Sequence, residues 1–148
     1  AETVPPPQEE TVFLGIQGLA NQGRLAEAEI MLSASLDRSP FSVRLNYLNS
    51  LLASEQGQPA ETLKSLDRVL YLDPHHVAAR MDRAHLFGIQ NCIPEALKDL
   101  DHAIEVLGRM DGQDPVPDLE PFLCEDVLAR CKELRERCRL AGIGRAAV

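Results

Sequence analysis

Three stretches decide the reading of this chain: "NQGRLAEAEIMLSASLDRSP" from Asn21 to Pro40, "EQGQPAETLKSLDRVLYLDP" from Glu55 to Pro74, and "QNCIPEALKDLDHAIEVLG" from Gln90 to Gly108. Gly23, Gly57 and Asn91 follow one another at a single constant step, and Ala28, Thr62 and Ala96 repeat that step. Leu32, Leu66 and Leu100 keep it, as do Leu36, Leu70 and Ile104, while Pro40, Pro74 and Gly108 end the units. Self-similarity at one period over three units is the mark of a repeat architecture. Each unit has a local physical logic. Glycine, and after it asparagine, tolerates the positive φ of a tight turn or helix end. Pro59 and Pro94 then fall in the first helical turn, where a missing N–H is harmless. Ala28, Leu32 and Leu36 step by four along one apolar helical face. Pro40 and Pro74 stop the unit because proline cannot continue a helix. The unit is helix, turn, helix, stop.

The bulk composition agrees. In 148 residues helix formers dominate, aromatics make up 4%, tryptophan is absent, and no run alternates like a strand bounded by hairpin turns. The class expected is all-α. The net charge is −8, with 19 acids against 9 bases in residues 1–120 and 4 against 6 in residues 121–148. An acidic body repels phosphate, which argues against nucleic acid as a partner. The basic cluster of Arg130, Lys132, Arg135, Arg137 and Arg139 is interleaved with Glu133 and Glu136 and reads as a solvated helix face. No apolar run approaches the roughly 20 residues of a membrane span, so no membrane partner is expected. The chain opens "AETVPPPQEE", and its prolines suggest a stiff extended linker over residues 1–8, as at the edge of a domain excised from a longer protein.

The pattern of turn glycine, small residue, bulky residue, small residue and proline resembles the tetratricopeptide repeat, a helical hairpin of the same period. Gly57, Thr62, Leu66, Val69 and Pro74 carry it in the second unit. Gly23, Ala28, Leu32, Ser35 and Pro40 do so in the first, and Asn91, Ala96, Leu100, Ala103 and Gly108 in the third. The first helices match at Ala84 and Phe87, with Ile16/Leu19 and Ser50/Ala53 in the corresponding places. The aromatic usual near the start of a repeat is replaced by Val12, Asn46 and Arg80. The resemblance implies a right-handed superhelical solenoid of antiparallel helix pairs, about seven helices in all, with repeats at about 9–42, 43–76 and 77–110. A loop over 109–119, a capping helix over 120–141 and a tail over 142–148 would follow.

The resemblance also implies a function. First helices of such repeats line a concave groove that holds a peptide or a helix of a partner protein. Carrying that register across gives Phe13, Gln17 and Asn21 from the first repeat, Arg44, Tyr47 and Leu51 from the second, and Met81, His85 and Ile89 from the third. Aromatics and arginine are residue types that carry interface energy. Members that grip the C-terminal carboxylate of a chaperone use lysines, asparagines and an arginine where this chain has Phe13, Gln17, Leu48, Ala78 and Asp82. The cations are missing and Asp82 repels a carboxylate, so that ligand is not expected.

No phosphate-binding, dinucleotide-binding, nucleophile-elbow or zinc-protease motif occurs, and neither an enzyme nor a cofactor is expected. Asp99 and Asp101 diverge on a helix and read as surface charge. His75 and His76 adjoin each other after Pro74 with no placed third ligand, so no metal is assigned. Cys124, Cys131 and Cys138 are seven apart, about 10 Å along a helix, too far for a mutual disulfide or a shared zinc ion. With Val127, Leu128 and Leu134 they form one apolar stripe, the seam of a capping helix or of a homodimer. Unpaired thiols suit a reducing cytoplasm. Two narrower readings stand beside a general signalling or scaffold module. One is a regulatory domain C-terminal to a chemotaxis-receptor methyltransferase, suggested by "VLYLDPHHVAARMDRA"; the other is a tetratricopeptide-type secretion chaperone, suggested by the three-repeat size.

Overall fold

The computed structural model describes residues 7–146, and the constant step of the sequence reappears in it as backbone geometry. Gly23, Gly57 and Asn91 have φ of 78°, 67° and 64°. Each therefore occupies the left-handed region that glycine and asparagine adopt at low cost. Ala28, Thr62 and Ala96 are buried, and so are Leu32, Leu66 and Leu100. Seven helices make up the described residues: α1 (Pro7–Asn21), α2 (Leu25–Arg38), α3 (Val43–Glu55), α4 (Pro59–Leu72), α5 (Val77–Ile89), α6 (Ile93–Gly108) and α7 (Cys124–Ala146). The fold is an all-α solenoid of antiparallel helix pairs. Residues 1–6 of the expected linker lie outside the described residues; its last two positions, Pro7 and Gln8, already belong to α1.

The chain divides within α4 into two compact units, residues 1–68 and 69–148. In the first, Phe13 and Ile16 of α1 meet Ala28 and Leu32 of α2 and Leu45, Leu48 and Leu52 of α3 in one apolar cluster. Full burial of such aliphatic side chains stabilises by about 2 kcal/mol each. Ser42 caps α3 by accepting the Leu45 N–H at 3.2 Å. Asn46, buried where the repeat usually has an aromatic, donates to the carbonyls of Pro40 at 3.1 Å and Ser42 at 2.7 Å. It ties the stop of one repeat to the first helix of the next.

The second unit repeats these devices with other chemistry. His76 stands one repeat after Ser42 and caps α5, its Nδ1 accepting the Ala79 N–H at 3.1 Å. The ring hydrogen is therefore on Nε2, which donates to Asp118 at 2.7 Å and anchors the loop after α6. Arg80, one repeat after Asn46, donates through Nε to the Pro74 carbonyl at 3.1 Å. Arg80 and Arg83 also converge on Asp99, at 2.9 Å and 2.7 Å. Asp99 is 1% exposed, which corrects its reading as surface charge: two guanidinium groups from α5 satisfy the carboxylate inside the α5–α6 contact.

Helix α7 begins at Cys124, later than the expected residue 120, because the preceding chain is held extended by a bridge between Pro115 and Leu123. The first amides of the helix are used by the loop: Cys124 donates to the Asp114 carbonyl at 2.7 Å and Glu125 to that of Gly112 at 3.0 Å. Cys124, Val127 and Cys131 then pack with Val77, Ala103, Leu107 and Val116, and Leu134 and Cys138 reach Ala84, Ala96 and Leu100. The cysteine stripe is thus filled by α5 and α6 of the same chain. Helix α7 also runs through most of the expected tail, to Ala146. A Cβ at Gly142 would lie 3.2 Å from Ile93 Cγ2, so the missing side chain permits close approach to the start of α6. That packing outweighs the low helix propensity of glycine.

Candidate functional site

On α1, Phe13, Gln17 and Asn21 follow one another at steps of four; on α3, Arg44, Tyr47 and Leu51 follow at three and four. Arg44 joins the two helices. Its guanidinium lies 3.8 Å from the centre of the Phe13 ring and pairs with Glu10. Phe13 and Tyr47 are buried, so their bulk goes into the packing of the folded chain. Gln17 and Asn21 are exposed, Leu51 is 38% exposed and Arg44 is half-buried. The candidates of this unit that stay presented are polar, with one leucine.

In the second unit the α5 candidates Met81, His85 and Ile89 also step by four. Met81 is half-buried, His85 exposed, and Ile89 67% exposed. Met81 opens into an apolar depression of about 420 Å³ shared with Leu119, Phe122, Asp126, Val127 and Arg130. Sequence reasoning gives Leu119 to a loop and Phe122 to the capping helix, with no part in binding for either. Their signal is the cluster of Leu119, Phe122 and Leu123 in "DLEPFL", and Phe122 stays 61% exposed. Of the positions where chaperone-tail binders carry cations, Phe13 and Ala78 are buried.

The titratable groups show little that is arranged for chemistry. Burial pushes the Cys131 thiol up to about 11 and raises that of Cys124, with Asp114 adding to the latter. Both are protonated at neutral pH, when thiols are neither nucleophiles nor good ligands. All four cysteines are free. Among the described residues, no group of three or more His, Cys, Asp or Glu side chains is placed to hold a metal ion. Among them, too, no helix is long and apolar enough to cross a membrane.

The chain matches no protein-family profile and no curated protein sequence. Solved structures do resemble it. The type III secretion translocator chaperone SycD of Yersinia enterocolitica superposes with a TM-score of 0.75 at 14% identity, over 95% of this chain and 89% of that one. PcrH, in complex with the chaperone-binding region of PopD, gives 0.75 at 12% identity over 95% and 98%. The tetratricopeptide domain of P58(IPK) gives 0.64 at 23% identity, over 93% of this chain and 36% of that one. At these identities the likeness is one of fold, and the fold is the tetratricopeptide type of helical repeat.

Proposed function

We propose that the chain is a non-catalytic protein-binding module, and that the first helices of its repeats receive a peptide or helix of a partner protein. The observation that supports this most is the likeness, over 90–95% of this chain, to folds solved with such ligands. SycD has been solved with a peptide of the translocator YopD, PcrH with a region of PopD, and the first tetratricopeptide domain of RPAP3 with an HSP90 peptide. The side chains that stand out on α1, α3 and α5, among them Gln17, Leu51, His85 and Ile89, supply mixed apolar and hydrogen-bonding contacts of the kind an interface core and rim require. A reading as a secretion-type chaperone is favoured by coverage in both directions, since the chain spans 89–99% of the SycD and PcrH chains as well as 95% of itself.

Binding is tested at positions that do not serve the core. Tyr47 is unsuitable, because a charge there is inserted into a buried site. Leu51→Glu and Ile89→Glu place charges on first helices without emptying the interior. Capture of a partner from the native cell is expected to fall at least tenfold with the double variant, helicity unchanged, while Lys98→Glu on the exposed face of α6 leaves it intact. Equal capture by the Leu51/Ile89 variant overturns the assignment.

A further inference from the structure

His75 and His76 are adjacent in sequence, yet the structure sends them to different tasks. His76 caps α5 and holds Asp118, whereas His75, exposed on the turn between α4 and α5, meets a histidine 27 residues away. His75 Nδ1 lies 3.0 Å from His102 Nε2, with the rings tilted 35° and their centres 5.2 Å apart. Glu105, one turn beyond His102 on α6, lines the same open cavity of about 290 Å³, together with Arg109.

Two imidazole nitrogens facing each other at this distance share one hydrogen, or else direct both lone pairs at a metal ion. Zinc–nitrogen bonds of about 2.0–2.1 Å make a 3.0 Å separation subtend roughly 90° at the ion, and a few tenths of an ångström of opening reaches the tetrahedral angle. The ring hydrogen between the nitrogens moves to the far nitrogen of its own ring. Arg80, whose charge acts on His102, is itself compensated by Asp99 at 2.9 Å. Glu105, on the same cavity wall, is the candidate third ligand, and it has to swing in. His102 and Glu105, three apart, share a helix face. Glu105 is now paired with Arg109 at 2.6 Å, and both partners are largely exposed, so the pair yields easily. Two imidazoles and a carboxylate suit zinc and its borderline neighbours and do not suit calcium or magnesium.

We propose that His75 and His102, completed by Glu105 and water, form a binding site for zinc or a similar divalent transition-metal ion, pinning the α4–α5 turn to α6. The two nitrogens lie close together beforehand; on binding the rings turn to aim both lone pairs at the ion, and the carboxylate joins. The site is independent of the surface proposed for a protein partner.

Calorimetric titration of the metal-stripped, reduced protein with Zn²⁺ tests this, with Co²⁺ absorption identifying the ligands. The expected result is one ion per chain, a higher melting temperature with metal, and no thiolate-to-cobalt charge-transfer band. His75→Ala and His102→Ala should each weaken binding at least roughly tenfold, as much as losing even an outer-shell partner does. Glu105→Gln should weaken it less. Should His102→Ala lose helicity, His75→Ala, on an exposed turn, carries the test. Absence of one-to-one binding, binding unchanged in His75→Ala, or a thiolate band pointing to Cys92 or Cys138 overturns the proposal.

Discussion

One pair of equivalent positions meets across each helix hairpin, and the three repeats fill that contact with three chemistries. In the first, a Cβ added at Gly15 would sit 3.4 Å from the Met31 methyl. In the second, Asn49 donates to the Ser65 hydroxyl at 2.9 Å; in the third, Arg83 donates to Asp99 at 2.8 Å and 2.7 Å. The contact passes from apolar to polar to ionic while the backbone register stays fixed. Asp99→Ala would leave two largely buried guanidinium groups without their carboxylate, at a cost on the order of 3 kcal/mol. Its urea midpoint should drop accordingly, and Asp99→Asn should fall between it and the parent. An unchanged midpoint would show that the cluster is worth no more than a surface pair. The burial of Asp99 is legible in principle. It lies one place before Leu100 on the apolar stripe, and one full repeat after Ser65. Judged only against Asp101 on its own helix, it reads as surface charge, because the compensating cations come from a different element.

At the scale of elements, the turns are the most legible features, since the positive φ at Gly23, Gly57 and Asn91 admits few residue types. Second helices are nearly as plain: small residues at 28, 62 and 96 and leucines at 32, 66 and 100 lie on strict stripes. First helices are harder, because Asn46 and Arg80 replace a bulky anchor with hydrogen bonds to the carbonyls of Pro40 and Pro74, a substitution that hydrophobic periodicity does not register. Both ends of α7 differ from expectation, since the amide bonds to Asp114 and Gly112 and the fit of Gly142 over Ile93 are tertiary facts. The cysteine stripe gives that helix a reporter. With its pKa at about 11, Cys131 is thiolate in only about one molecule in a thousand at pH 8, and it is fully buried besides. Alkylation followed by mass spectrometry should therefore modify the half-buried Cys138 first and spare Cys131. Val127→Asp, which puts a charge into the α6–α7 contact, should abolish that difference. Equal labelling of Cys131 and Cys138 in the parent protein would mean that α7 is not docked as described.

At the scale of the whole molecule, the repeat period specifies the architecture but leaves the binding face only partly legible. A helix in a solenoid has packing neighbours over much of its circumference. One turn along the register therefore separates a presented side chain such as Leu51 from a buried one such as Tyr47. Second helices expose large apolar residues as well: Ile30 on α2 is 72% exposed and Tyr71 on α4 is 87% exposed. These offer a direct contest between the two kinds of helix. A photo-reactive amino acid placed singly at Leu51, Ile89, Ile30 or Tyr71, and activated in the native cell, reports which surface a partner touches. A discrete cross-linked protein is expected from Leu51 and Ile89 and none from Ile30 or Tyr71. Cross-links confined to Ile30 and Tyr71 would contradict it.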